Sequence, residues 1–323
     1  MKQFLLLTLS VIFAIHVGAQ QRKTSGVLGV KAAKVLDVRT GRYSADQMIW
    51  IDGDRIKAVG NAADIERQIP SGATIIDLSN VTILPGLVDC HVHLTSNPSQ
   101  LDLGPAGLHI SYPRRALIGV RNARMTLEAG FTTVRNVAAD GYADVALRDA
   151  INEGDVIGPR MLVSGPALSI TGGHWDENYL GPQFTFSKEG VADGVAAVMK
   201  QVRENVKYGA DLIKVMATGG VVSEGDNPAF EQYSPAELKA IVETAHGLGR
   251  KVAAHAHASL GIKNAVLAGV DSIEHGSYAT DEDIQLMKEH GTTLCPLFIS
   301  RTGSSKTCKL SVGLRAPWKR RGR

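Results

Sequence analysis

The chain predicts an α/β fold: a (β/α)8 TIM-type barrel lacking its last strand, with a small N-terminal antiparallel β-sheet domain. Three observations carry this. Strand-like and helix-like segments alternate strictly after residue 81, histidines stand at the ends of several different strands, and short strands with Gly and Asp turns fill the stretch before residue 80. Strict alternation demands a parallel sheet, and polar residues gathered at the ends of several strands favour a closed barrel over an open doubly wound sheet.

Residues 1–19 read as a signal peptide. Lys2 supplies the positive start, Phe4 to Ile15 the apolar centre and Val17-Gly18-Ala19 a small-residue cleavage site. The apolar stretch is shorter than the roughly 20 residues a membrane span needs. The expectation is therefore a secreted or periplasmic protein with no membrane attachment after cleavage. Residues 20–80 form the small β-domain, with strands Lys34–Val38, Gln47–Ile51 and Arg55–Val59 and an Asp52-Gly53 hairpin signal.

Residues 81–300 form the barrel. Its first strand runs from Val81 to His93. Helix Arg114–Ala129 stops at Gly130, strand Phe131–Val137 leads to helix Tyr142–Asn152, and strand Arg160–Ser164 to helix Val191–Tyr208. Strand Leu212–Ala217 follows, and Ser234-Pro235-Ala236-Glu237 opens the next helix with capping-box spacing. Strands 251–255, 272–275 and 292–298 alternate with helices 259–268 and 281–289, and the count of strands stops at seven. Residues 301–323 fit neither template, and an abrupt change of composition makes them a basic tail, disordered or non-native and read out of frame.

That tail explains the formal net charge of +3. It holds eight Lys or Arg and no acid, so the rest of the chain has 27 basic against 32 acidic residues, a mildly acidic balance with no nucleic-acid footprint. The three cysteines, in unrelated contexts, form no disulfide framework. Cys90 alternates away from His91, which suits core packing.

Chemistry concentrates at the strand ends. His91 and His93 are separated by one residue on a strand, so both imidazoles face one side and can grip one metal. Lys214 sits in the apolar run Asp211 to Ala217, where a charged amine needs a partner. His255 and His275 each stand where a parallel strand finishes. Four histidines and a lysine at successive strand ends make a two-metal constellation. His174 follows Gly172-Gly173 in a loop and is a candidate donor to a substrate carbonyl or carboxylate, a plain loop histidine being the alternative. His257 shares a face with His255, as a catalytic or substrate contact or an alternate ligand. Tyr233, ahead of the capped helix, is a candidate substrate contact or a packing side chain.

The phrases Leu84-Pro85-Gly86-Leu87-Val88-Asp89-Cys90-His91-Val92-His93, Thr171-Gly172-Gly173-His174, Lys214 to Gly220 and Ala268 to Gly276 resemble the metal-dependent amidohydrolases, in the branch of imidazolonepropionase-like enzymes and Xaa-Pro dipeptidases. The resemblance implies that His91 and His93 bind the more buried of two divalent ions, zinc suiting the ligands. It implies that Lys214 is carboxylated by carbon dioxide and bridges both ions, and that His255 and His275, twenty residues apart, bind the second. A metal-bridging hydroxide would then hydrolyse an amide bond of a dipeptide or N-acyl amino acid. The family also carries an aspartate at the end of an eighth strand, which the seven-strand count does not reach, so impaired activity is part of the expectation. Cyclic imide hydrolysis or deamination on the same scaffold, and a non-catalytic metal- or substrate-binding protein, remain open here. The expected partners are a small-molecule or dipeptide substrate and, as an option, a second copy of the chain.

Overall fold

The computed structural model describes residues 26–97, 105–184, 186–221, 223 and 225–297. The expected leader and the tail 301–323 lie outside these residues. The chain divides into two compact units, one up to Pro85 and one from Gly86.

In the first unit, strands β1 (Val27–Asp37), β2 (Arg42–Asp52), β3 (Arg55–Asn61) and β4 (Thr74–Ile83) lie in the order β3-β2-β1-β4. Gly53, at φ +61°, takes the tight loop between β2 and β3 that Asp52-Gly53 signalled. The sheet is mixed, which corrects the antiparallel expectation. β4 runs parallel to β1, because helix α1 (Ala62–Glu66), capped by the Asn61 side chain, turns the chain back before β4 begins. Thr82 and Ile83 pair with Lys34 and Val35, so they belong to this sheet and not to the barrel. The division falls after Pro85, beyond the expected residue 80, since Pro85-Gly86 interrupts the ladder. Gly86 passes against Thr132, where a Cβ would come within 2.0 Å of Oγ1.

Among the described residues, the second unit carries seven parallel strands. β5 (Leu87–Val92), β6 (Phe131–Asn136) and β7 (Arg160–Val163) form one ladder, and β8 (Leu212–Met216), β9 (Lys251–Ala256), β10 (Ser272–His275) and β11 (Thr293–Cys295) form another. Main-chain bonds join the two sets: Asp211 N donates to Val163 O at 2.7 Å and Leu168 N to Lys214 O at 2.8 Å. No ladder joins β11 to β5 among the described residues. Helices α2 (Tyr112–Glu128), α3 (Ala143–Glu153), α4 (Val195–Lys207), α5 (Pro235–Gly247), α6 (Ser259–Ala268) and α7 (Asp281–His290) alternate with the strands. α5 and α7 open with full capping boxes, Ser234 with Glu237 and Thr280 with Asp283. α4 begins four residues later than expected, because Val191 bridges Ser169 and Gly194 turns at φ +85° before the helix starts. None of these helices is long and apolar enough to cross a membrane.

Alternation along the strands divides the core. Ile213, Val215, Val252, Ala254, Ala256 and Ile273 pack outward with Leu238, Ile241, Ile262 and Val266 of the helices, while Leu212 and Ala253 pack inward with Val137. Lys214 and His255 occupy inward positions of the same alternation. Cys90 is exposed on β5, not packed in a core as expected; β5 lies at the end of its ladder, and its core contacts are made by Leu87 and Val92.

Polar groups tie the strand ends down. Asn136 is fully buried; its Oδ1 accepts from Leu94 N at 2.7 Å, fixing the chain just after His93, and its Nδ2 donates to Asp144 at 3.2 Å. Asp144 also accepts from Gly165 N at 3.1 Å, so one carboxyl joins α3 to the ends of β6 and β7. Burial raises its pKa to about 6, against the lowering effect of these hydrogen bonds. A folded pKa above the unfolded value of 3.8 means the contribution is whole below that value and lost as the pH rises through about 6. Relative to Asp144→Asn, the natural protein should therefore lose about 3 kcal/mol of stability between pH 4 and pH 7. Urea unfolding of both proteins across that range measures the gap; a constant gap would contradict this account.

Candidate metal centre

Six imidazoles form one chain of ring contacts at the carboxyl ends of the strands. Ring centroids lie 5.2 Å apart for His91 and His93, 4.9 Å for His91 and His275, and 4.6 Å for His255 and His275. His257 is 4.7 Å from His255 and 4.8 Å from His275, and His174 is 4.3 Å from His255. His91, His255 and His257 are buried, His174 and His275 half-buried, and His93 exposed. One ring nitrogen from each of His255, His257 and His275 lies within 4.8 Å of the others, the geometry of a metal-holding trio.

His91 and His93 arrive together because alternate residues of an extended chain share a face. His275 arrives by a different route. Glu274 points inward, so simple alternation would turn His275 out toward the helices. Instead the chain bends: His275 takes φ +70° and Gly276 N donates back to Glu274 O at 3.0 Å, closing a three-residue turn. A left-handed non-glycine residue at such a turn costs about 1–3 kcal/mol, and this one delivers the ring to the other histidines.

Lys214, only 1% exposed, fills the inward position of β8. Among the described residues its Nζ has no hydrogen-bond partner, and the same holds for His257 Nε2 and His275 Nδ1. Burial lowers the Lys214 pKa to about 8, with Glu274 opposing the shift and Arg135 adding to it. Burial likewise lowers His91 to about 3 and His174 to about 4, and pushes His255, His257 and His275 below the ordinary value. The Lys214 charge adds to the lowering in all five, which places the amine among the rings. Neutral imidazoles with free lone pairs around an unpartnered amine suit borderline divalent ions, so the donor set fits the expected metals.

Two further histidines of interest are held by loops. His174 N donates to Gln232 Oε1 at 3.1 Å, and its Nδ1 meets Ser223 Oγ at 2.6 Å. Ser223 in turn donates to Asp226. Gly220 leaves room for this ring: a Cβ there would stand 1.9 Å from His174. His257 Nδ1 meets Ser277 Oγ at 2.9 Å. His255 Nε2 lies 3.2 Å from the Gly219 carbonyl.

Tyr233 corrects the expectation of a substrate contact. It is 1% exposed, packs among Val198, Leu238 and Ile241, and donates its hydroxyl to Ala192 O at 3.0 Å. Glu274 and Arg135 escaped the sequence reading as functional residues. The signal was present: each is a charged side chain inside a short strand, and alternation puts Glu274 on the face of Ser272, inside the sheet. The Ser223–Asp226 support of His174 carried no sequence signal.

Comparison with known proteins agrees with this geometry. The model of the Amidohydrolase family matches residues 82–314. The ochratoxinase of Aspergillus niger is 41% identical over 257 residues, covering 74% of this chain and 52% of that enzyme. A crystal structure of a Xaa-Pro dipeptidase with bound methionine in the active site superposes with TM-score 0.76 at 35% identity, over 84% of this chain and 66% of that one. A prolidase complexed with N-methylphosphonate-L-proline gives TM-score 0.72 at 34% identity, with the same shares covered. The chain spans about half the length of the curated relatives it matches. With its family match covering both the histidine pair and the later strand ends, the chain belongs to the amidohydrolase family, on its prolidase-like side.

Proposed function

We propose that the chain is a binuclear, metal-dependent amidohydrolase that cleaves an amide C–N bond in a dipeptide or an N-acyl amino acid. The observation that carries this is the unpartnered Lys214 Nζ buried among histidines at the strand ends. His91 and His93 would hold one ion, His255 and His275 the other, and Lys214 as a carbamate would bridge them, with zinc the ion best suited to these donors. When bound, divalent ions supply Lewis acidity to an amide carbonyl and acidify water near neutral pH.

The lysine's burial serves the carbamate. Only the neutral amine attacks carbon dioxide; the new N–C bond forms, one proton leaves, and the side chain ends as an anion. Lowering the pKa to about 8 raises the neutral fraction at physiological pH, and the anion is what a cationic site lacks. His174 then acts at the rim. Because Ser223 gives its proton to Asp226, its Oγ accepts from Nδ1–H of His174. With the pKa near 4 the ring is neutral, and Nε2 presents an acceptor to a substrate N–H. His257, with Nε2 unpartnered, is the second side chain placed to meet substrate. The names of the relatives, an ochratoxinase and a Xaa-Pro dipeptidase, support a small carboxylated amide as substrate class. Export belongs to the same proposal and rests on the leader-like residues 1–19.

Zinc-loaded protein is expected to hydrolyse members of a panel of Xaa-Pro dipeptides, methionine-containing dipeptides and N-acyl amino acids, and to stop on chelation. Lys214→Ala should bind fewer than two ions by atomic absorption. Its turnover should fall by more than the 10–100-fold typical of residues one step removed from a metal. Full zinc loading with no turnover on any amide would favour a binding protein instead.

The metal-free protein should also be acid-sensitive. Histidines with lowered folded pKa values contribute stability above pH 6.5, and that contribution is lost as the pH falls below it toward the folded values, about 3 for His91 and about 4 for His174. Thermal melts of chelator-treated protein from pH 7.5 to pH 4.5 should show a falling Tm, with His91→Phe falling less steeply. Parallel slopes would remove His91 from this account.

A further inference from the structure

Beneath the histidines lies an ion pair that the proposed reaction does not use. Glu274 is fully buried on β10, where Arg135 Nη2 at 2.5 Å and Ser272 Oγ at 2.6 Å reach Oε1, His91 Nδ1 reaches Oε2 at 3.0 Å, and the Cys295 thiol also bonds the carboxylate. Arg135 is held in turn by the Cys90 carbonyl at 2.7 Å and by Ser272 Oγ at 3.1 Å. The group thus spans the interior from β5 and β6 to β10, linking the three-stranded ladder to the four-stranded one. Burying a charge pair in an interior is costly unless its hydrogen bonds are complete, and breaking one is costlier still.

We infer that Glu274, held by Arg135, is a positioning residue for His91; the inference rests on the reading of His91 as a metal ligand. A carboxylate can only accept, so the nitrogen facing Oε2 must carry the ring proton. That fixes His91 as the Nδ1–H tautomer and leaves the lone pair on Nε2, free for an ion. The same strand then places His275: the three-residue turn that starts at Glu274 O sends the next ring to within 4.9 Å of His91. One residue therefore sets the tautomer of His91 through its carboxylate and places the ring of His275 through its main-chain carbonyl.

The chemistry of the amide isostere makes this testable. In Glu274→Gln, the guanidinium of Arg135 donates only, so it claims the amide oxygen. The amide NH2 then turns to His91, whose Nδ1 must accept and whose proton must move to Nε2. Zinc affinity, read by competition with a chromogenic chelator, should fall 10–100-fold while the circular dichroism spectrum is unchanged. Adding Arg135→Met releases the amide oxygen to face His91 and should recover much of that loss. Histidine 15N spectra of the metal-free natural protein should show His91 protonated at Nδ1, a readout that needs no variant to fold. A proton on Nε2 in those spectra, or equal zinc affinity in the natural protein and Glu274→Gln, overturns the inference. Failure of the natural protein to bind zinc, with the Nδ1–H tautomer present, overturns the metal reading and leaves the tautomer assignment standing.

Discussion

A primary amine without a hydrogen-bond partner, buried at the end of a strand and ringed by imidazoles, is the constraint on which this site depends. Lys214 is 1% exposed, and a lone ammonium in such a place carries a desolvation cost that the fold must offset or remove. The nearest opposition is Glu274, which raises the lysine pKa while burial lowers it. Burial also works against the Glu274 carboxylate, but the His91 hydrogen bond and the charges around it hold it below the usual range. On the Lys214 side of the cluster, the Glu274 carboxylate faces the Arg135 guanidinium and the amine, while Asp226 stands on the far side behind Ser223 and His174. In the proposed function, conversion of the amine to an anion would remove that positive charge and supply the negative one that a pair of cations needs.

Around this centre the backbone is arranged to aim side chains that ordinary alternation would scatter. His91 and His93 need nothing special, since every second residue shares a face. His275 needs a left-handed residue and a turn closed by Gly276, and Gly276 is itself at φ +59°. His174 needs the space left by Gly220 and the anchoring of its loop, where Thr171 bonds Asp193 through both N (3.0 Å) and Oγ1 (2.6 Å). Asn136 and Asp144 hold the ends of β5, β6 and β7 from below, so that the histidine pair projects from a fixed rim. Strain at His275 is offset by this surrounding order, as backbone strain at functional sites generally is.

The parts of this architecture legible in the sequence were those written in periodicity. Apolar runs of strand length, glycine stops such as Gly130 and Gly269, and the Ser234 capping box gave most helices and strands of the second unit to within a few residues, while in the first unit α1 and β4 went unseen and β1 begins at Val27, seven residues before the expected Lys34. The clustering of His91, His93, His255 and His275 was legible because each was placed at a strand end. What periodicity does not encode was missed. β4 is parallel to β1 through its crossover, Tyr233 finds its partner in a carbonyl forty-one residues away, and Ser223 and Asp226 reach His174 only through loop packing. Glu274 was hidden by a more obvious neighbour: a histidine at a strand end draws the eye, while the residue that settles which of another histidine's nitrogens is free stands one place before it.

The two histidines at the rim differ in a way that bears on selectivity. His174 is committed, since a carboxylate stands at the end of its hydrogen-bond chain and Ser223 can pass no proton back to it. His257 is uncommitted: its Nδ1 faces the Ser277 hydroxyl, which donates or accepts equally well, so its Nε2 can either offer a proton or accept one. In the proposed reaction the committed ring recognises a substrate N–H, and the uncommitted one can follow a group whose polarity changes as the amide carbonyl becomes tetrahedral. In that reading the two rings would divide the work, with hydrogen-bond polarity fixed at His174 by Ser223 and Asp226 and free to change at His257.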